Sequence, residues 1–253
     1  MPRTSRMKSE SGIYHIIMRG INRQILFEDE EDCNRFIQTL YRYKEISEFK
    51  LYAYCLMGNH VHLLLMEGKE PLETVMRRIC CSFVFWYNKK YCRIGYLFQD
   101  RFKSEAINDG VYLLTVLRYI FRNPLKANIA NKIEEYKWTN YNEYVQNNIN
   151  ADMEYIINFF DITDKGKAIK RFIDYINSDT EDECLEINEK RSITDEEAIK
   201  IIKVHCKVDH VIDLQKFDVE KRNICIRALK RHNLSIRQIE RLTGISRGII
   251  QKL

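Results

Sequence analysis

The chain has 253 residues, 45% hydrophobic and 30% charged, with only 9 Gly and 3 Pro. This is the balance of a globular protein with one large or two smaller domains, and it excludes collagenous, low-complexity and mainly disordered classes. The net charge of +5 is blocky: residues 1–24 hold five basic side chains against one acidic, residues 75–103 seven against one, and residues 221–253 nine against one.

The first twenty residues are basic but lack the apolar block of a signal peptide, because Lys8, Glu10 and Arg19 interrupt it. No run approaches the ~18 apolar residues of a membrane span. Residues 13–18 form a short β-branched and aromatic run that reads as a strand. Residues 29–47 carry Phe36, Leu40 and Tyr43 at helical spacing behind an acidic first turn. Residues 51–56 and 60–66 read as strands joined by Met57-Gly58-Asn59, a tight turn of residues that tolerate positive φ. Pro71 opens a helix to about residue 91, and residues 102–108 give a fourth strand. Asp109 caps a third helix, expected to stop at Asn123 because Pro124 disfavours helical geometry before it. The order strand–helix–strand–strand–helix–strand is a split βαβ, so the fold class is α+β with a ferredoxin-like antiparallel sheet.

Residues 150–180 continue as helix, followed by a strongly acidic stretch near 178–197. The tail, LSIRQIERLTGISRGIIQKL, has helix-turn-helix spacing. Ser235 caps a first helix, Thr243-Gly244-Ile245 turns, and Ser246 caps a second helix that carries Arg247. An ordinary helical hairpin has the same pattern; the basic setting favours DNA. The chain thus divides into residues 1–148, a helical connector with an acidic linker at 149–190, and a smaller all-helical domain at 191–253.

The eight cysteines include no CxxC pair, and Cys80 and Cys81 are adjacent. They read as reduced thiols of a cytoplasmic protein rather than a zinc finger or disulfide scaffold. One basic block alone reads as a solubilising face, whereas three separated by acidic stretches point to nucleic acid.

His60 and His62 lie two apart on a strand, so both imidazoles leave the same face and can converge on one metal ion. The plainer alternative is a pair of hydrogen-bonded core histidines. Tyr119 and Asn123 lie four apart on the third helix and share a face; alone, Tyr119 reads as one of many core-edge tyrosines.

Taken together, GNHVHLLL, YLFQDRFKSE and YIFRNPLKANI, with YHIIMRGINRQILF before them and YKWTNYNEY after, resemble the REP-associated tyrosine transposases of the single-tyrosine HUH superfamily, over residues 10–145. The resemblance implies Tyr119 as nucleophile, His60 and His62 as metal ligands, and Asn123 in the place of the third ligand. It implies Mg²⁺ or Mn²⁺, a 5′-phosphotyrosine intermediate, and single-stranded DNA beside hairpins as substrate. It leaves monomer and homodimer both open. Arg19, Arg23, Arg101 and Lys103 are candidate backbone contacts, each equally readable as plain surface charge. The C-terminal segment is similar to the DNA-binding domain of the bacterial replication initiator, which implies duplex or hairpin binding through Arg237, Ser246 and Arg247. The rival from another class is a non-catalytic DNA-binding regulator with the same fold.

Overall fold

Alternation along four strands decides the architecture. The computed structural model describes residues 6–146, 148–180, 182, 184–185, 194–232 and 234–253; Arg3 and the expected domain boundary at 190/191 fall outside them. The chain separates into two units, Met1–Ile187 and Asn188–Leu253.

In the first unit the strands are β1 (Ile13–Arg19), β2 (Lys50–Met57), β3 (His60–Met66) and β4 (Lys103–Ile107). Every pairing is antiparallel, in the order β2-β3-β1-β4, which is the expected split-βαβ arrangement. Helix α1 (Glu30–Ser47) joins β1 to β2, α2 (Leu72–Lys90) joins β3 to β4, and α3 (Gly110–Lys126) follows β4. Side chains of a strand alternate between faces. Tyr14, Ile16 and Met18 of β1 and Val61, Leu63 and Leu65 of β3 therefore enter one core with Phe36 and Leu40 of α1 and Val75, Ile79 and Phe83 of α2. Ile13, Leu64 and Ile107 enter the other core with Leu113, Val116, Leu117 and Ile120 of α3. The β2–β3 register shifts between Leu51 and Ala53.

Local chemistry explains the helix starts. Asp29 accepts from the Asp32 N–H at 3.1 Å while the Asp32 carboxylate accepts from the Asp29 N–H at 3.2 Å, a reciprocal cap. Asp109 accepts from the Tyr112 N–H at 2.7 Å at the start of α3.

Two expectations change. Neither Gly58 nor Asn59 has positive φ. Their turn is held from outside: the Gly58 carbonyl accepts from Leu26 N–H at 2.8 Å and the Asn59 carbonyl from Gly20 N–H at 2.9 Å. And α3 does not stop at Asn123; it contains Pro124 and ends at Lys126. Asn123 and Pro124 are both buried there, and the Ala127 N–H still reaches the Asn123 carbonyl at 3.0 Å. Packing and a continued last turn thus outweigh the local bias of the residue before proline.

Short α4 (Tyr141–Val145), α5 (Ala151–Ile157) and α6 (Lys165–Asn177) extend the α3-side core. Tyr141, Tyr144, Ile156 and Phe172 are buried there, so the connector's helices pack into the first unit. Beyond α6, Arg118 of α3 grips Asp182 through two hydrogen bonds of 2.8 and 2.6 Å and Ser178 through a third of 2.9 Å.

The second unit contains α7 (Asp195–Cys206), α8 (Val219–Arg231), α9 (Ile236–Thr243) and α10 (Arg247–Gln251). Ile202, Leu214, Ile226, Leu229, Ile239, Ile245 and Ile250 form its core. Gly244 takes φ +71 after α9, a left-handed position that suits glycine. Ser235 caps α9 by accepting from Gln238 N–H at 3.1 Å. Ser246 occupies the N-cap place of α10 but makes no side-chain cap bond. Glu240 of α9 supplies the acceptor instead, taking the Arg247 N–H at 3.2 Å. Among the described residues no helix is long and apolar enough to cross a membrane, and all eight cysteines are free thiols.

Candidate active site

The register lays out the polar side chains of the α3-facing side of the sheet in rows. Arg19 lies opposite His60; Ile17 separates His62 from Lys103; His15 has Leu64 on one side and Glu105 on the other. His60 and His62 therefore share a face with His15 and Glu105, as period-two geometry requires.

Their rings meet. The His60 and His62 centroids are 5.0 Å apart at 78°, and the ring of Tyr119 from α3 stands edge-on to His62 at 5.6 Å and to His15 at 5.9 Å. The structure thus brings both histidines and the tyrosine together. Asn123, one turn further along α3, donates from Nδ2 to the Tyr119 carbonyl at 2.8 Å, which leaves its amide oxygen as the acceptor end. Lys126, another turn on, holds Nζ 4.6 Å from the centre of the Tyr119 ring.

Each histidine of the pair has a partner at Nδ1. His60 Nδ1 donates to the Asn59 side-chain oxygen at 2.7 Å. His62 Nδ1 lies 3.1 Å from His15 Nε2, within hydrogen-bond distance. For His62 this leaves Nε2 on the side away from His15, the pattern of a metal-binding imidazole whose other nitrogen is fixed by a neighbour. His15 is fully buried and His62 nearly so. Burial lowers the His62 pKa well below the usual histidine value, with His15 and His60 adding to the effect; a neutral imidazole is the metal-ligating form. Burial also lowers the His15 pKa, partly offset by Glu105. The donor set of two imidazoles and an amide fits a divalent ion of intermediate softness such as Mn²⁺ more closely than Mg²⁺, which prefers oxygen throughout.

The remaining candidates are more dispersed. Arg19 and Lys103 lie on the histidine face, Lys103 exposed on edge strand β4. Arg23 is exposed in the loop after β1, with φ +62, and Arg101 is exposed just before β4. Arg237 and Ser246 are exposed in the second unit, and Arg247 pairs with Glu240 at 3.2 Å. Several cations of the basic blocks are similarly engaged: Lys90 bonds Asp29, Glu31 and Asp32, and Arg78 bonds Glu70. Counting charges along the sequence overstates the basic surface.

Sequence reasoning missed His15, Asn59, Glu105 and Lys126. His15 and Glu105 had a signal, since strand alternation puts both on the face of His60 and His62 once the strand order is known. Lys126 was hidden by ending α3 too early.

The site is thus a four-stranded antiparallel split-βαβ sheet with two histidines on a central strand, faced by a helix-borne tyrosine. Residues 8–123 are similar to the family model described as transposase IS200 like. Among solved structures, the REP-associated tyrosine transposase bound to a REP hairpin aligns with a TM-score of 0.51 at 18% identity, covering 60% of this chain and 90% of that one. A candidate transposase from Deinococcus radiodurans R1 aligns with a TM-score of 0.34 at 17% identity, over 47% of this chain and 95% of that one. No curated protein matches the chain.

Proposed function

We propose that this protein cuts and rejoins single-stranded DNA through a tyrosine intermediate, acting in the cytoplasm on strands next to hairpin-forming repeats. The observation that carries the reading is the contact of Tyr119 with His62, and of His62 with His60, on one face of the sheet. The hairpin in the aligned REP-associated structure supports the substrate class.

In this reading the Tyr119 oxygen attacks the scissile phosphorus, the bond to the 3′-oxygen breaks, and the departing strand takes up a proton as a free 3′-OH. The 5′-phosphate stays on Tyr119. Since no water enters, a 3′-OH from another end can attack the phosphotyrosine and restore a phosphodiester, which is strand transfer rather than hydrolysis. A Mg²⁺ or Mn²⁺ ion held by His60, His62 and Asn123 would polarise the phosphate and neutralise charge that develops in the displacement. Asn123 fixes the last turns of α3 against the Tyr119 carbonyl, and Lys126 keeps a positive charge beside the nucleophile's ring. Arg19 and Lys103, flanking the histidines, suit the strand's backbone, with Arg23 and Arg101 beyond them. The second unit adds hairpin or duplex binding through its last two helices, with Arg237 and Arg247 toward phosphate.

The test incubates single-stranded oligonucleotides carrying hairpins with the protein and Mn²⁺ or Mg²⁺. The expected result is a denaturation-resistant protein–DNA adduct, lost with chelator and in Tyr119→Phe. Tight binding with no adduct across these substrates would overturn the reading in favour of a DNA-binding regulator.

A further inference from the structure

His15 is a buried polar group of the first unit that the chemistry above does not use. His15 is fully buried in the middle of β1, where a strand position between Tyr14 and Ile16 would ordinarily carry an apolar side chain. A polar group survives burial at low cost only when its hydrogen bonds are met. His15 Nε2 meets His62 Nδ1 at 3.1 Å. Its Nδ1 makes no hydrogen bond of ordinary length, and Glu105 Oε2 stands 3.7 Å from it. Glu105 is itself fixed, its Oε2 accepting from the Leu185 N–H at 3.2 Å. A line therefore runs from carboxylate to imidazole to imidazole, ending at His62.

The direction of that line is determined by proton inventory. A carboxylate facing His15 Nδ1 favours the proton on that nitrogen, which leaves Nε2 as a lone-pair acceptor. An acceptor facing His62 Nδ1 favours a proton there, which leaves His62 Nε2 with its lone pair exposed to a ligand. The opposite polarity would put a proton on His62 Nε2 and block it. Asn59 does for His60 what His15 does for His62, since an amide oxygen can only accept from His60 Nδ1.

We propose that His15, backed by Glu105, is a positioning residue that holds His62 in the Nδ1–H tautomer and so presents Nε2 to the divalent ion. The inference rests on the metal reading of His60 and His62 and adds to it the group that sets the ligand's proton. His15 does not touch substrate; it acts through His62.

The experiment uses the full-length protein and two readouts, neither of them activity. Long-range ¹H–¹⁵N spectra of the metal-free protein report the tautomer of His62, and electron paramagnetic resonance titration reports Mn²⁺ affinity. In the unaltered chain His62 is expected as Nδ1–H. In His15→Ala that preference is lost and Mn²⁺ affinity falls roughly 10–100-fold, the usual cost of removing such a partner. In His15→Gln the amide oxygen reaches the Nε2 position, and both readouts recover most of the way. Glu105→Gln, at the half-exposed edge strand, gives a variant that leaves the buried strand intact; its amide can offer N–H to His15 Nδ1, reverse the line, and weaken Mn²⁺ in the same direction. An unchanged His62 tautomer and unchanged Mn²⁺ affinity in His15→Ala and Glu105→Gln, with binding still abolished by His62→Ala, would overturn the inference and leave the metal site standing. Mn²⁺ binding that survives both His60→Ala and His62→Ala would overturn the metal reading itself, and this inference with it.

Discussion

The two faces of the sheet are made by alternate residues of the same strands, yet they are built to different ends. Toward α1 and α2, β1 and β3 send Tyr14, Ile16, Met18, Val61, Leu63 and Leu65 into an apolar core with Phe36 and Phe83. Toward α3, the same strands send His15 and His62, and α3 answers with Tyr119 and Asn123. The first face gives its burial wholly to stability. The second gives up part of that gain to hold neutral imidazoles, a phenol and an amide where water is scarce, a concession typical of functional sites. The contrast also separates scaffold from chemistry: changes on one face should act on folding, changes on the other on reaction.

The largest expected effect is on the α3 side. Replacing His60 or His62 by Ala should lower strand cleavage about 10³-fold, the scale of several kcal/mol of lost charge stabilisation; for half-buried His60 thermal stability should stay near that of the unaltered chain. Cleavage within tenfold of normal would break the contrast. On the other side, Phe36→Ala empties a fully buried, three-ring aromatic cluster with Phe27 and Phe83. It should cost about 3–5 kcal/mol in denaturant unfolding while the folded fraction keeps its Mn²⁺ affinity.

The buried imidazoles also make stability depend on pH. His15 and His62 both have pKa values lowered from 6.5 in the fold, so below pH 6.5 the unfolded chain binds protons that the folded chain does not. Stability is then complete above about pH 6.5 and falls as pH drops below it. Melting temperatures measured from pH 7.5 to 5.5 without metal should decline, and the decline should flatten in His62→Ala. The smallest effect belongs to the exposed cations. Lys103→Ala should weaken single-strand binding less than about tenfold and reduce the salt slope by about 0.7, one phosphate contact's worth; an unchanged slope would remove Lys103 from the interface.

Much of this contrast was legible in the sequence, because period-two alternation and helix caps are local signals. The strands, the antiparallel order, the Asp109 cap and the shared face of His60 and His62 all follow from residue spacing. What escaped was non-local. The Gly58-Asn59 turn is held by the Leu26 and Gly20 N–H groups, which donate to its carbonyls, and it has no positive φ. Helix α3 passes through Pro124 because its last turns are packed, and with that extension comes Lys126 over Tyr119. His15 looked like one residue of an apolar run until β3 and β4 were set on either side of it. Arg247 looked free until Glu240 was found beside it. In each case the deciding partner lies on a different element.

The central claim is that Tyr119, among the 15 tyrosines of the chain, is the side chain that takes the DNA phosphate. Protease digestion of the protein–DNA adduct followed by mass spectrometry of the nucleotide-bearing peptide tests it directly. The account predicts a single modified peptide, from α3, with the phosphodiester on Tyr119. A nucleotide carried by any other tyrosine, or an adduct that persists in Tyr119→Phe, would contradict it.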